Sequence, residues 1–170
     1  MTAPTPEKPV TYTVLFVDDE PNILRAIKRA LFTMDINLLL ADGGSKALEL
    51  MEKQTVHVVI SDMKMPQMSG AELLEQVAKN YPDTFRVVLT GYADIESTIK
   101  AVNQGKIHRY LQKPWENQEL ISVINEGLER VKLKEENTRL QKLTRLQNKK
   151  LKDVNTSLES VVQKRTRQIK

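Results

Sequence analysis

The 170-residue sequence contains no cysteine, which excludes disulfides and thiolate metal sites. Long apolar runs are missing as well, and none approaches the ~20 residues a membrane span requires. Neither G-x-x-x-x-G-K-S/T nor G-x-G-x-x-G occurs, so the usual phosphate-cradling loops of nucleotide enzymes are absent. Met1 to Pro9 holds three prolines and lacks the basic-then-apolar layout of a secretory signal. Residues 1–10 are therefore expected to form a short disordered lead. Together these absences fit a reducing interior, so a cytoplasmic location without membrane association is expected.

Proline and glycine are scarce where it matters most. The 56 residues from Trp115 to Lys170 contain no proline and one glycine, Gly127. Wholly helical, they would run ~80 Å, far more than a helix covering a small sheet. Ile121, Ile124, Leu128 and Val131 are expected to pack on the body of the protein. Beyond them, one heptad register sets Leu133, Leu140, Val154 and Val161 at d and Leu151 and Leu158 at a. The same register leaves Asn137, Thr144, Gln147, Arg165 and Gln168 on the seam, so it is imperfect. An isolated helix this polar has little reason to be stable, and a coiled coil, paired as a parallel homodimer over residues 133–168, is expected.

Charge divides the chain in the same place. Residues 1–127 carry 13 Lys/Arg against 17 Asp/Glu, a balance of −4, whereas residues 128–170 carry 13 against 5, a balance of +8. The basic charges of the tail are interspersed along the heptads and not gathered into one block. A solvated coiled-coil surface is the better reading, and nucleic-acid binding is not expected. The boundaries read as a lead at 1–10, a folded domain at 11–130 and a helical extension at 131–170.

Within the domain, short apolar runs alternate with helical periodicity. Strands are expected at Tyr12–Val17, Leu38–Ala41, Val56–Ile60, Phe85–Leu89 and His108–Gln112. Helices are marked by Ile23, Leu24, Ile27, Ala30 and Leu31, by Ala47, Leu48, Leu50 and Met51, and by Leu73, Leu74, Val77 and Ala78. A fourth carries Ile95, Ile99, Ala101 and Val102. Pro21 suits the first turn of the first helix. Strands this apolar leave no wet face, which argues for a parallel sheet with helices on both sides.

Polar residues that follow the strands carry the chemistry. Asp18 and Asp19 follow the first strand, Asp62 the third, Thr90 ends the fourth and Lys113 follows the fifth. Sites in open α/β sheets form at the carboxyl ends of strands where the strand order reverses. If the first and third strands are neighbours there, three carboxylates converge. Each like-charged pair at ~4 Å costs ~4 kcal/mol at an effective dielectric near 20. Such a cluster must bind a proton or a divalent cation, and with oxygen ligands only, Mg²⁺ is the expected ion. A metal site with a hydroxyl donor and a cation beside it suits a phosphoryl group. Taken singly, the Asp pair reads as a solvated turn and Asp62 as an ordinary loop acid. His57 and His108 sit in or beside strands, away from this edge, and Met63, Met65 and Met68 are expected to cover the site loop.

Leu15-Phe16-Val17-Asp18-Asp19-Glu20, Ile60-Ser61-Asp62-Met63-Lys64-Met65-Pro66 with Gly70, Leu89-Thr90-Gly91 and Lys113-Pro114-Trp115 resemble receiver domains of two-component response regulators. The resemblance covers roughly residues 11–130. It implies a flavodoxin-like, doubly wound, five-stranded parallel sheet of order 2-1-3-4-5. It further implies Asp62 as phosphoacceptor, Asp19 and Asp62 as metal ligands, Asp18 acting directly or through water, and the Lys64 carbonyl completing the set. Thr90 would bond a phosphoryl oxygen, Lys113 would pair with Asp62, and Tyr110 would be the aromatic switch that follows Thr90. A cis Lys113–Pro114 bond is also implied. The donor would be a phosphohistidine on a sensor histidine kinase or phosphotransfer protein. The switched surface would be that of the fourth helix, fifth strand and fifth helix.

Such a chain is expected to be a phosphoacceptor signalling domain and not an enzyme, apart from its own Mg-dependent phosphorylation and dephosphorylation. Two alternatives stay open. An aspartate-nucleophile phosphohydrolase would carry D-x-D after the first strand, where this chain has adjacent Asp18-Asp19. A coiled-coil scaffold that works without phosphorylation would have no need of the full site set. No effector domain fits after residue 130, so a fragment or a regulator acting through its coil is expected. The Lys113-Pro114-Trp115 ending and long charged helix resemble regulators with HD-GYP-type cyclic-di-GMP phosphodiesterase outputs, with diguanylate cyclase or kinase outputs as alternatives.

Overall fold

A computed structural model describes residues 11–168, with side chains through Arg165; the expected lead at 1–10 and the side chain at the Gln168 seam position lie outside what it describes. Five parallel strands, β1 (Tyr12–Val17), β2 (Ile36–Ala41), β3 (Val58–Asp62), β4 (Phe85–Thr90) and β5 (Arg109–Gln112), form one sheet in the order β2-β1-β3-β4-β5. Five helices connect and follow them: α1 (Pro21–Ala30), α2 (Gly44–Lys53), α3 (Gly70–Asn80), α4 (Ile95–Asn103) and α5 (Asn117–Gln168). The flavodoxin-like order implied by the resemblance is the order observed.

Alternation along the strands sorts the core into two layers, because successive side chains point to opposite faces. Val14, Phe16, Val58, Ile60, Val87 and Leu89 pack with Ile27 of α1, with Leu31 just after it, and with Leu120, Ile124 and Leu128 of α5. Leu15, Val17, Val59 and Val88 pack with α2, α3 and α4 through Ala47, Met51, Leu73, Leu74, Val77 and Ala101. Met63 belongs to this second layer, with Met65 and Met68 against it, so these methionines are packing residues.

Helix α4 departs from its sequence reading. Ile99, expected on the packed face, is 43% exposed, and Thr98 is fully buried instead. Ala101 is also buried, so the inward stripe runs one position earlier than Ile99 implied. At the start of β4 the buried guanidinium of Arg86 donates to the carbonyls of Pro82, Thr84, Gly105 and Lys106, joining the turns on both sides.

The chain divides between Val131 and Lys132 into two units. In the second, the described side chains are exposed, among them Leu133, Leu140, Leu151, Val154, Leu158 and Val161. Leu143 and Leu146, also exposed, fall outside the expected seam, so the apolar stripe drifts between Leu140 and Leu151. Among the described residues, no helix is long and apolar enough to cross a membrane.

Candidate functional site

Register decides which residues meet. β1 pairs with β3 so that Val17 lies opposite Ser61, and β3 with β4 so that Asp62 lies opposite Leu89. One residue past Val17 is Asp18, level with Asp62, at the point where the strand order reverses. Carboxylate oxygens of Asp18, Asp19 and Asp62 all lie within 4.8 Å of one another. From β5, Lys113 reaches in until its Nζ is 2.8 Å from Asp62 Oδ1. Its own N–H donates to the Thr90 carbonyl at 2.9 Å, tying the two strand ends together, and the Lys113–Pro114 bond is cis.

The acids differ in environment. Asp18 is fully buried, Asp62 is nearly so, and Asp19 is exposed. Asp18 Oδ1 accepts the Glu20 backbone N–H at 2.9 Å, while its Oδ2 has no hydrogen-bond partner among the described residues. Desolvation pushes the Asp18 carboxyl from an ordinary 3.8 up to about 6. The Glu20 N–H opposes that rise, Asp62 adds to it, Lys113 opposes it and Asp19 adds again. A buried carboxylate oxygen that no protein donor satisfies, facing two further carboxylates, is suited to a cation. Asp18, Asp19 and Asp62 together form an all-oxygen cluster that could hold a metal ion.

Local sequence explains how the site loop is held. Ser69 caps α3 by accepting the Glu72 N–H at 3.2 Å. Gly70 donates its N–H to the Met63 carbonyl at 2.8 Å, and a Cβ on Gly70 would collide with the backbone of Asp62. Only glycine allows that approach. Lys64, two residues after Asp62, reaches Asp94 beyond β4 at 3.6 Å.

Thr90 is fully buried, and its hydroxyl engages the Gly91 carbonyl and the Thr98 hydroxyl, each at 3.2 Å. Tyr110, on the edge strand β5, is 41% exposed. The sequence pattern does not mark Thr98; the one signal available is its place three residues before Ala101, on the inward side of α4.

A profile of the family described as "Response regulator receiver domain" matches residues 14–125. The chain belongs to the response regulator receiver family. The receiver is 32% identical over 124 residues to the hydrogenase transcriptional regulatory protein HoxA of Bradyrhizobium diazoefficiens, covering 73% of this chain and 25% of that protein. It thus spans about a quarter of the length of the curated relatives it matches. Among solved structures, an uncharacterized protein from Neptuniibacter caesariensis is 49% identical with a TM-score of 0.71, covering 74% of this chain and 93% of that one. The signal receiver domain of an HD domain-containing protein from Pseudomonas fluorescens is 37% identical with a TM-score of 0.68, covering 72% and 98%. Neither the phosphohydrolase nor the phosphorylation-independent scaffold finds support in these relatives.

Proposed function

We propose that this receiver accepts a phosphoryl group on Asp62 from a phosphohistidine of a histidine kinase or phosphotransfer protein. In that step an Asp62 carboxylate oxygen forms the new P–O bond as the P–N bond breaks, and the electron pair leaves with the imidazole nitrogen. Lys113 balances the negative charge at Asp62, and Thr90 donates its hydroxyl to a phosphoryl oxygen. Asp18 and Asp19, with Asp62 and the Lys64 carbonyl, would hold the cation. Bound Mg²⁺ supplies the positive charge that offsets the crowding of phosphoryl and carboxylate oxygens. Tyr110 then follows Thr90 inward, which alters the surface formed by α4, β5 and α5. The observation that carries this reading is the meeting of Asp18, Asp19 and Asp62 within 4.8 Å, with Lys113 on Asp62 at 2.8 Å.

Incubation with acetyl phosphate and Mg²⁺, followed by mass spectrometry of the modified peptide, tests it. A single phosphoryl group on Asp62, lost in Asp62→Asn and in chelator, is expected. Modification that persists unchanged in Asp62→Asn refutes the assignment.

The receiver works in the cytoplasm as a signalling part and not as an enzyme. Output passes through the helical extension, a parallel coiled coil of two copies over residues 133–168, to an output domain or partner. The HD domain-containing relative supports an output domain of the HD type, in line with the HD-GYP resemblance. Sedimentation of this chain at tens of micromolar should give a dimer; a monomer both with and without a phosphoryl analogue would end the coiled-coil proposal.

A further inference from the structure

Thr98 competes for the hydroxyl on which phosphoryl recognition depends. It is fully buried on α4, and its hydroxyl oxygen lies 2.8 Å from the Asp94 carbonyl and 3.2 Å from the Thr90 hydroxyl. One proton cannot serve both contacts. The shorter one holds it, as the back-bond to residue i−4 common for threonine in helices, which leaves a Thr98 lone pair for Thr90. Thr90 then gives its one proton to Thr98, with the Gly91 carbonyl, also 3.2 Å away, as the competing acceptor, and among the described residues its hydrogen bonds go to none of the three site carboxylates.

We propose that Thr98 is a positioning residue: it holds the Thr90 hydroxyl away from the phosphoryl position, and its release is part of what switching must overcome. The inference rests on the phosphoacceptor reading above. When Thr90 turns to a phosphoryl oxygen, the Thr90–Thr98 bond is broken inside a dry region, while the Thr98–Asp94 bond persists in both states and cancels. The resting state is stabilised over the switched one by the worth of that one bond. The start of α4 is informed of the change directly, through Thr98, independently of Tyr110.

The test is calorimetric titration of the full chain with beryllofluoride in excess Mg²⁺. Thr98→Val keeps the shape and loses the hydroxyl, so Thr90 is freed and binding should tighten about five-fold, which corresponds to about 1 kcal/mol. Thr98→Ser keeps the hydroxyl and should bind as the wild type does. In a Thr90→Ala background the Val substitution should have no effect, since there is no hydroxyl left to hold. Thr98→Ala serves in place of Val should the latter fold poorly, with the same direction expected. The proposal is overturned if loss of the hydroxyl leaves affinity unchanged or weaker. It is equally overturned if the gain survives in Thr90→Ala, or if Ser shifts affinity and Val does not, because packing would then be the cause. Failure of the wild type to bind beryllofluoride at all would remove the phosphoacceptor reading itself, a result distinct from the others.

Discussion

Replacing Asp18 by asparagine should make the metal-free protein more stable at neutral pH, and the size of the gain follows from the site. The substituted amide retains an oxygen for the Glu20 N–H and can offer an N–H to the neighbouring carboxylates, while removing a buried charge. The folded Asp18 carboxyl sits at about 6 against 3.8 ordinarily. The fold therefore holds that proton more tightly than the unfolded chain does. Stability is then fully present below about pH 4 and falls as pH rises through about 6. At about 1.4 kcal/mol per pH unit, the loss by pH 7.5 is about 3 kcal/mol. Asp18→Asn escapes it. Urea unfolding in EDTA, followed by the fluorescence of Trp115, should show a small difference between variant and wild type at pH 4. The difference should grow to about 3 kcal/mol at pH 7.5, roughly 10 °C in melting temperature. Mg²⁺ should then stabilise the wild type more than the variant and narrow the gap, because only the wild type has all three carboxylates to offer. A variant no more stable than the wild type at pH 7.5 without metal would refute the reasoning. So would a gap of the same size at pH 4, which would mean that burial of the charge is not its source.

Two glycines give further tests. Gly70→Ala drives a methyl into the Asp62 backbone and should cost about 1–3 kcal/mol in denaturant unfolding, with slower phosphorylation by acetyl phosphate because Asp62 must shift. Gly127→Ala should also destabilise, by about 1–2 kcal/mol, although alanine is the better helix former by about 1 kcal/mol. A Cβ there would lie 2.5 Å from the Phe85 ring, which is buried and stacked on His108. A Gly127→Ala protein that melts higher than the wild type would show that the ring yields.

The strand and helix order was legible in the sequence because both periodicities are local. Apolar runs such as Leu15-Phe16-Val17 and Val58-Val59-Ile60 stop abruptly at polar residues, and hydrophobics recur at helical spacing between them. The candidate site was legible for a related reason: Asp18, Asp19, Asp62, Thr90 and Lys113 all fall where strands end, and a parallel sheet brings such ends to one edge. Strand order itself was not local information; it came from resemblance, and the β1–β3 pairing that sets Asp18 level with Asp62 is a property of the folded sheet.

Only the tertiary structure decided what depends on a neighbour distant in sequence. Thr98 is buried and Ile99 exposed because of how α4 lies on β4, which a stripe of Ile95, Ile99 and Val102 does not reveal. Arg86 reads as one more charge until four carbonyls from two turns are found around it. Gly127, the one breaker in the last 56 residues, looks like a weak point in a helix, yet it is where α5 comes against Phe85. The elevated pKa of Asp18 is likewise invisible along the chain, since burial and the charges of Asp62 and Lys113 exist only once the sheet has formed. Residue order by itself determined which groups are present and in what local conformation; the energies that gather them into one site come from distances that folding alone creates.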